Sequence, residues 1–596
     1  MRLKNYVNQT LSWALGLCVV ALLGFACQSK SDDKIIKAPD TSVIPSPLLL
    51  PLPSRDQLLH TLKNDQFDVL IIGGGATGAG AALDASTRGL KVALIEAQDF
   101  SSGTSSRSTK LVHGGVRYLE NAVKRLDMQE YELVRDALKE RKRFLDNAPH
   151  LTNALPILTP VYGWFEAFYF WIGLKLYDLV AHNASLGKSE FIAREEAVTR
   201  FPQLKKEGLK GAVVYYDGQF DDARMNVSIV LSAIQRGAVA LNYLGAQGLV
   251  KENNLVKGVL IKDMLSEESW PVKARVVINA TGPFADKIRH MDNPEAKSIM
   301  VPSQGSHILL PERFSPPHDG LIIPKTKDGR VLFLLPWMNK TLAGTTDQME
   351  KITDAPRATN DEVEYILEHL RLYFDVPVKR EDILATWSGL RPLAKPEQMS
   401  GTTASISRDH LIEVSPSKLV TIVGGKWTTY RKMAEDVMDI AVQVGELKPK
   451  HESHTQDLKL IGAAGYTKFL GQELIKQKQL DPDIASHLAH AYGDRAPMIL
   501  DLCNNNPELE RRLVHNYPYI AAEVVYSLRH EYAQHATDIL SRRMRLAFLD
   551  NQAARLALPQ VIELMARENH WSEARKISEL NRGLEFLNTM MTLPPA

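Results

Sequence analysis

The chain has 596 residues, 44% of them hydrophobic and 24% charged, which is enough for two or three buried cores. Lys and Arg number 71 against 70 Asp and Glu, a net charge of +1 that excludes a nucleic-acid binder working through bulk charge. Three cysteines, Cys18, Cys27 and Cys503, exclude a disulfide framework and a cysteine-based metal site.

At the N-terminus, Arg2 and Lys4 precede the uncharged apolar run LSWALGLCVVALLGFA (11–26). Residues 1–34 therefore read as a membrane anchor or a signal-like segment. A retained anchor, a lipoprotein signal ending at Cys27 and a cleaved presequence all fit the run. Residues 35–64 hold Pro39, Pro45, Pro47, Pro51 and Pro53 and read as a semi-rigid linker.

DVLIIGGGATGAGAALDASTRGLKVALIEAQD (68–99) predicts strand, glycine turn, helix and strand. Gly73, Gly75 and Gly78 form G-x-G-x-x-G, with Glu96 near the end of the second strand, the context that a dinucleotide fingerprint requires. The glycines let the backbone approach a pyrophosphate, the helix N-terminus offers N–H groups, and Glu96 can accept from a ribose. The motif alone does not separate FAD from NAD.

FSSGTSSRSTKLVHGGVRYLE (100–120) follows directly. Ser102, Gly103, Thr104, Ser105 and Ser106 are small donors that can line a flavin at the carboxyl edge of the sheet. His113 reads as a flavin contact or a packing residue. Two later junctions repeat the pattern: ARVVINATGPFAD, with Thr281 and Gly282, and LVTIVGGKWTTYRKMAED, with Gly424, Gly425 and Thr428. Three separated strand–glycine junctions predict an α/β fold whose cofactor domain is split by inserted substrate segments over 65–450. Amphipathic stretches over 451–596 predict a C-terminal all-α domain. The intervening segment 155–181 is rich in aromatic residues and reads either as a membrane-interface element or as a buried helix. The short basic run Arg542, Arg543 and Arg545 reads as packing against the FAD domain or as facing anionic lipid.

These motifs, with VVYYDGQFDDARMN, FLLPWMNKTLAGTTD and WSGLRPL, resemble in order the FAD-dependent glycerol-3-phosphate dehydrogenases, most of all the mitochondrial form. The resemblance covers about residues 55–590 and implies that the split domain is an FAD-binding Rossmann-like domain interleaved with a mixed-sheet substrate domain. It implies an enzyme that oxidises sn-glycerol 3-phosphate to dihydroxyacetone phosphate, passing hydride to FAD and electrons to a membrane quinone. It implies Arg117, Tyr118, His307, Arg391 and Lys426 as active-site residues. Arg117 and Arg391 suit a phosphate fork, Lys426 adds a point charge, and His307 or Lys426 would be the base. SQGSHILL places His307 at the start of a strand. Thr345, Thr346 and Asp347 read as structural or flavin-proximal.

The implied partners are the substrate, a quinone and the lipid bilayer, without nucleic acid, and a homodimer is compatible. The implied location is the mitochondrial inner membrane for a eukaryotic source and the plasma membrane for a bacterial one. No metal site is expected. The animal mitochondrial form carries EF-hands, but no D-x-[DN]-x-[DN]-G-x₅-E loop occurs in this sequence, so calcium activation is not expected. Two other readings stay open: an oxidase using oxygen, and a flavin-binding module without turnover.

Overall fold

The computed structural model describes residues 52–115, 128–324, 326–327, 329–395 and 410–591. The anchor-like run, Arg117 and Tyr118 lie outside them. Two sheets and a helical domain make up the described chain.

The first sheet has eight strands. Phe67–Ile72 lies at its centre, parallel to Val92–Ile95 on one side and to Ser269–Asn279 on the other. Val420–Gly424 continues the parallel run beyond Ser269–Asn279. The three predicted strand–glycine junctions thus end side by side on one edge, although about 200 and 140 residues of sequence separate them. The central strands are buried on both faces, the burial expected of a parallel sheet inside a domain. The helix Ala76–Thr87 starts directly after the glycine turn and packs against Tyr430–Gly445. Its close seat depends on two glycines. A Cβ on Gly78 would lie 1.9 Å from Gly73 O, and one on Gly73 would lie 2.6 Å from Ala280 O.

The second sheet has ten strands and is mixed. Thr152–Val161 pairs antiparallel with Gly211–Phe220 and parallel with Gly320–Ile323. The long strand Met300–Pro311 pairs antiparallel with Ala385–Ala394 and with Lys340–Gly344. Between them they present His307 and Arg391.

The proline-containing linker does not extend to residue 64. Arg55–Asn64 is a helix, started by a capping box between Ser54 and Gln57. Leu58 and Leu62 share one buried face, and Arg55 donates to Asn242 O and Oδ1 at 2.9 Å each. A leucine pair at i, i+4 gives this segment a core contact that a tether lacks.

The C-terminal region is helical from Leu470 to Asn588, and its core is continuous with one face of the second sheet. The basic run at 542–545 packs inward. Arg542 and Arg543 both donate to Asp99, directly after the second strand of the nucleotide fold, at 2.5 to 3.0 Å. Arg545 donates to Ser106 O at 2.9 Å and to Asp222 at 3.1 Å. All three arginines are buried. Each replaces its lost hydration with carboxylate and carbonyl partners, the condition under which a buried charge is tolerated. A π-helical turn, Ile539–Arg543, places two of them on one side.

His150 lies at the seam between the main body and the helical region. It is buried, its Nδ1 has no partner, and burial with Arg224 and His490 nearby pushes its imidazole down to about 3. Between pH 6.5 and about 3 the unfolded chain therefore binds a proton at this site that the native chain does not, and native stability falls as the pH falls through that window. Urea unfolding of His150→Gln, followed from pH 7 to pH 5, is expected to lose less stability across that interval than the parent chain.

Candidate active site

The site is built where the carboxyl edge of the first sheet meets the second. The glycine turn starts the helix Ala76–Thr87 with Gly75 at its N-cap, where no side chain occupies the cap. Glu96 accepts from Gly74 N–H at 2.7 Å and from Gln98 N–H at 2.9 Å. Burial raises its carboxyl above the ordinary range against these two bonds. In this arrangement the carboxylate shapes the turn and keeps further lone pairs for a hydroxyl.

The hydroxyl-rich stretch is partly spent on its own fold. Thr104 donates to Leu390 O at 2.5 Å, and Ser106 donates to Gly103 O at 3.3 Å. Ser105 Oγ accepts from Ala76 N–H at 2.9 Å, so it sits at the helix N-terminus itself. Ser102 and Gly103 lie in the turn before Thr104–Ser106, and a Cβ on Gly103 would meet nothing within 4 Å. Trp427 Nε1 donates to Ser105 O, and Thr428 donates to His113 O. These bonds bring the Gly424–Gly425 junction against the stretch. Thr281 donates to Asn279 Oδ1 from N and Oγ1, leaving Gly282 at φ +56° on the open side of its turn. Lys426 directly precedes the short turn Trp427–Thr429. Gly73, Gly75, Gly78, Glu96, Ser105, His113, Thr281, Gly282, Gly424, Gly425 and Thr428 thus border the same edge.

His307 is interior to its strand, eighth of the twelve residues of Met300–Pro311, and not at the start of a strand. Gly305 had suggested a boundary, but it is a packing slot. A Cβ there would lie 2.4 Å from Arg391 Nη2. Gly344 makes a second slot, where a Cβ would lie 2.3 Å from His307 Cδ2. In this sheet glycine admits a functional side chain against the backbone. The His307 ring stacks on Trp387 at 4.1 Å, and its Nε2 lies 3.0 Å from Thr109 Oγ1. Its Nδ1 is buried without a partner. Burial, then Lys110 and Arg391, push the imidazole well below its usual range, so the ring is neutral at physiological pH.

Arg391 is half-buried. It donates to Gln304 O and Thr346 O, to Ser303 Oγ and Thr345 Oγ1, and lies 3.4 Å from Asp347. Thr346 bonds to Ser306 N and Glu362, which gives it a structural role.

Three participants were not singled out from the sequence. Lys110 is fully buried, donating to Ser106 O, Ser108 O and Asp222, and lies 4.2 Å over the Trp387 ring. Burial pushes its ammonium down to about 7, against the pull of Asp222 and with the push of Arg545. A lysine in a run of small residues was the available signal. Trp387 stood in WSGLRPL without a role. Asn226 donates to Gly74 O at 2.8 Å while its Oδ1 is buried and unpartnered.

The family model described as FAD dependent oxidoreductase matches residues 68–431, and the one described as C-terminal domain of alpha-glycerophosphate oxidase matches 453–576. Mitochondrial glycerol-3-phosphate dehydrogenase of Homo sapiens is 46% identical over 582 residues, covering 96% of this chain and 80% of its own. Glycerol-3-phosphate dehydrogenase SDP6, mitochondrial, of Arabidopsis thaliana is 46% identical over 562 residues, covering 90% and 89%. The chain belongs to the FAD-dependent glycerol-3-phosphate dehydrogenase family. The crystal structure of the Bacillus halodurans glycerol-3-phosphate dehydrogenase complexed with FAD superposes with a TM-score of 0.73 at 30% identity, covering 90% of this chain and 97% of that one.

FAD is the cofactor of the family, and the residues present fit it. Gly75 at the N-cap puts no side chain over the helix N-terminus, where only Ser105 Oγ takes the first N–H, and Gly103 and Gly282 leave their Cβ directions open. Ser101 Oγ and Asn226 Oδ1, beside the hydroxyl-rich stretch and the glycine turn, are buried polar atoms without partners in the chain.

Proposed function

We propose that this protein oxidises sn-glycerol 3-phosphate to dihydroxyacetone phosphate and delivers the electrons to a quinone in a membrane. The observation that carries the chemistry is the neutral, stacked His307 on the strand next to Arg391, at the edge bordered by the dinucleotide-binding turn. Bound FAD supplies the hydride acceptor. His307 takes the proton of the C2 hydroxyl. A neutral imidazole has the lone pair this needs, but the burial and the charges of Lys110 and Arg391 that keep it neutral also weaken it as a base, so proton uptake has to be coupled to departure of the hydride. Arg391 binds the phosphate, with Lys426 as an added charge and as the rival base. Arg117 and Tyr118, which lie outside the described residues, complete the substrate contacts in this reading.

Membrane association rests on a different element. The stretch 155–181 combines the strand Thr152–Val161 with a helix, Trp164–Ala181. Its Leu174, Tyr177 and Ala181 side is buried, and Tyr177 OH accepts from Gly114 N–H at 3.0 Å. Its other side exposes Trp164 (66%), Phe165 (62%) and Phe168 (61%). Among the described residues no helix is long and apolar enough to cross a membrane. A surface helix with exposed aromatic side chains suits shallow insertion at the lipid interface, where quinone is reached. The relatives are named mitochondrial, which for a eukaryotic source makes the inner membrane the proposed location.

Anaerobic mixing with sn-glycerol 3-phosphate is expected to bleach the flavin absorbance, and a quinone analogue to restore it. Flavin that stays oxidised would defeat the substrate assignment. Reoxidation by oxygen with peroxide release, and none by quinone, would favour an oxidase. In protein lacking residues 1–34, the combined change Trp164→Ser, Phe165→Ser and Phe168→Ser is expected to cut sedimentation with liposomes by about tenfold or more. Oxidation of glycerol 3-phosphate with a soluble dye as acceptor should be unchanged.

A further inference from the structure

Thr109 carries no motif role, yet its hydroxyl is held unusually firmly. Ser108 on one side donates from N and Oγ to Asp222 Oδ2, at 3.0 and 2.7 Å. Lys110 on the other side takes a left-handed backbone, φ +64°, and turns its ammonium back to the same carboxylate at 2.7 Å. Asp222 is itself buried and is gripped from the helical domain by Arg545 at 3.1 Å. Both neighbours of Thr109 are therefore tied to one fixed point. The hydroxyl they present lies 3.0 Å from Nε2 of His307, on a distant strand of the second sheet.

The imidazole has little freedom left. Trp387 stacks on it, and Gly344 admits it so closely that no Cβ could stand there. A neutral imidazole carries one N–H and one lone pair, and the partner of one nitrogen decides the role of the other. We propose that Thr109 is a positioning residue for His307: its hydroxyl oxygen accepts from Nε2–H, leaving Nδ1 as the nitrogen that takes the substrate proton. The unpartnered, buried Nδ1 is the atom this assignment needs. The inference rests on the reading of His307 as the base.

The test is anaerobic stopped-flow reduction of the holoenzyme by sn-glycerol 3-phosphate, with Thr109→Val and Thr109→Ser beside the parent. Valine keeps the shape and removes the oxygen. The limiting rate of flavin reduction is expected to fall about tenfold or more in Thr109→Val, because the ring is no longer locked in one tautomer and orientation. The substrate dissociation constant and the bound FAD should stay within about twofold, since neither phosphate nor cofactor contact is touched. Serine, which restores the oxygen, should return most of the rate. A merely structural Thr109 would instead lower FAD content or stability in Thr109→Val and leave the limiting rate of the flavin-loaded fraction unchanged, and that result overturns the proposal. A slow, flavin-replete Thr109→Ser overturns it too, and decides the matter should the valine variant fail to hold flavin. If the parent enzyme is not bleached at all, the functional reading has failed before the role of Thr109 is reached.

Discussion

Replacing His307 with asparagine is expected to slow flavin reduction by glycerol 3-phosphate by about 10²- to 10⁴-fold, the usual contribution of a positioned general base. Asparagine keeps a polar side chain of smaller volume below Trp387 and in reach of Thr109, so FAD content should be preserved. His307 lies on the second sheet, while the glycine turn belongs to the first. The pH dependence carries a second expectation. Burial and the two neighbouring cations hold the parent imidazole far below its usual range, so it stays neutral as the pH falls through 6.5. The parent enzyme should show no acid limb from this group near pH 6.5, where an exposed histidine would give one. Rapid-mixing traces from pH 5.5 to 8 measure both effects. A loss under tenfold in His307→Asn would transfer the role of base to Lys426.

Arg391→Ala should raise the KM for glycerol 3-phosphate by about 10²-fold or more, the loss of two charge-assisted hydrogen bonds to phosphate. The variant is structurally clean for a reason visible in the sheet. Asp347, which faces Arg391, keeps Arg330 at 3.2 Å, so no carboxylate is left without a cation. Ser303 also bonds Asp347 and remains its donor. Arg391→Lys should recover little, because an ammonium cannot span the positions held by the two terminal nitrogens. Steady-state kinetics with flavin content measured in parallel would decide it. An unchanged KM would remove Arg391 from the phosphate site.

The nucleotide fold was legible because its signals are local. A strand, a glycine turn and an alanine-rich helix stand in consecutive residues, and the later junctions at Thr281 and Gly424 repeat the same grammar. The helical domain was legible through its periodicity. The second sheet was harder, since Gly305 looked like a strand boundary and is, like Gly344, a slot whose occupant, Arg391 for the first and His307 for the second, comes from a neighbouring strand. Lys110, Trp387 and Thr109 escaped for the same reason: their meaning lies in contacts with residues far off in sequence. Lys110 meets Asp222 112 residues later, and Thr109 meets His307 198 residues later. The membrane question was divided between an exposed and a buried helix, and the helix Trp164–Ala181 is each on a different side.

The grip of Arg542, Arg543 and Arg545 on Asp99, Ser106 O and Asp222 bears on modularity. Two family models meet in this chain, which suggests that the oxidoreductase body could be cut away from its helical partner. The charges say otherwise. Removing the helices would strand Asp99 inside the body without its two guanidinium partners, and would take from Asp222 one of the cations that share it with Lys110. An excised body would inherit a buried anion with the Asn242 amide in place of two guanidinium groups, directly before the hydroxyl-rich stretch. The pair has therefore become a single indivisible machine: neither half can be traded, shortened or fused elsewhere without rewriting the electrostatics of the other.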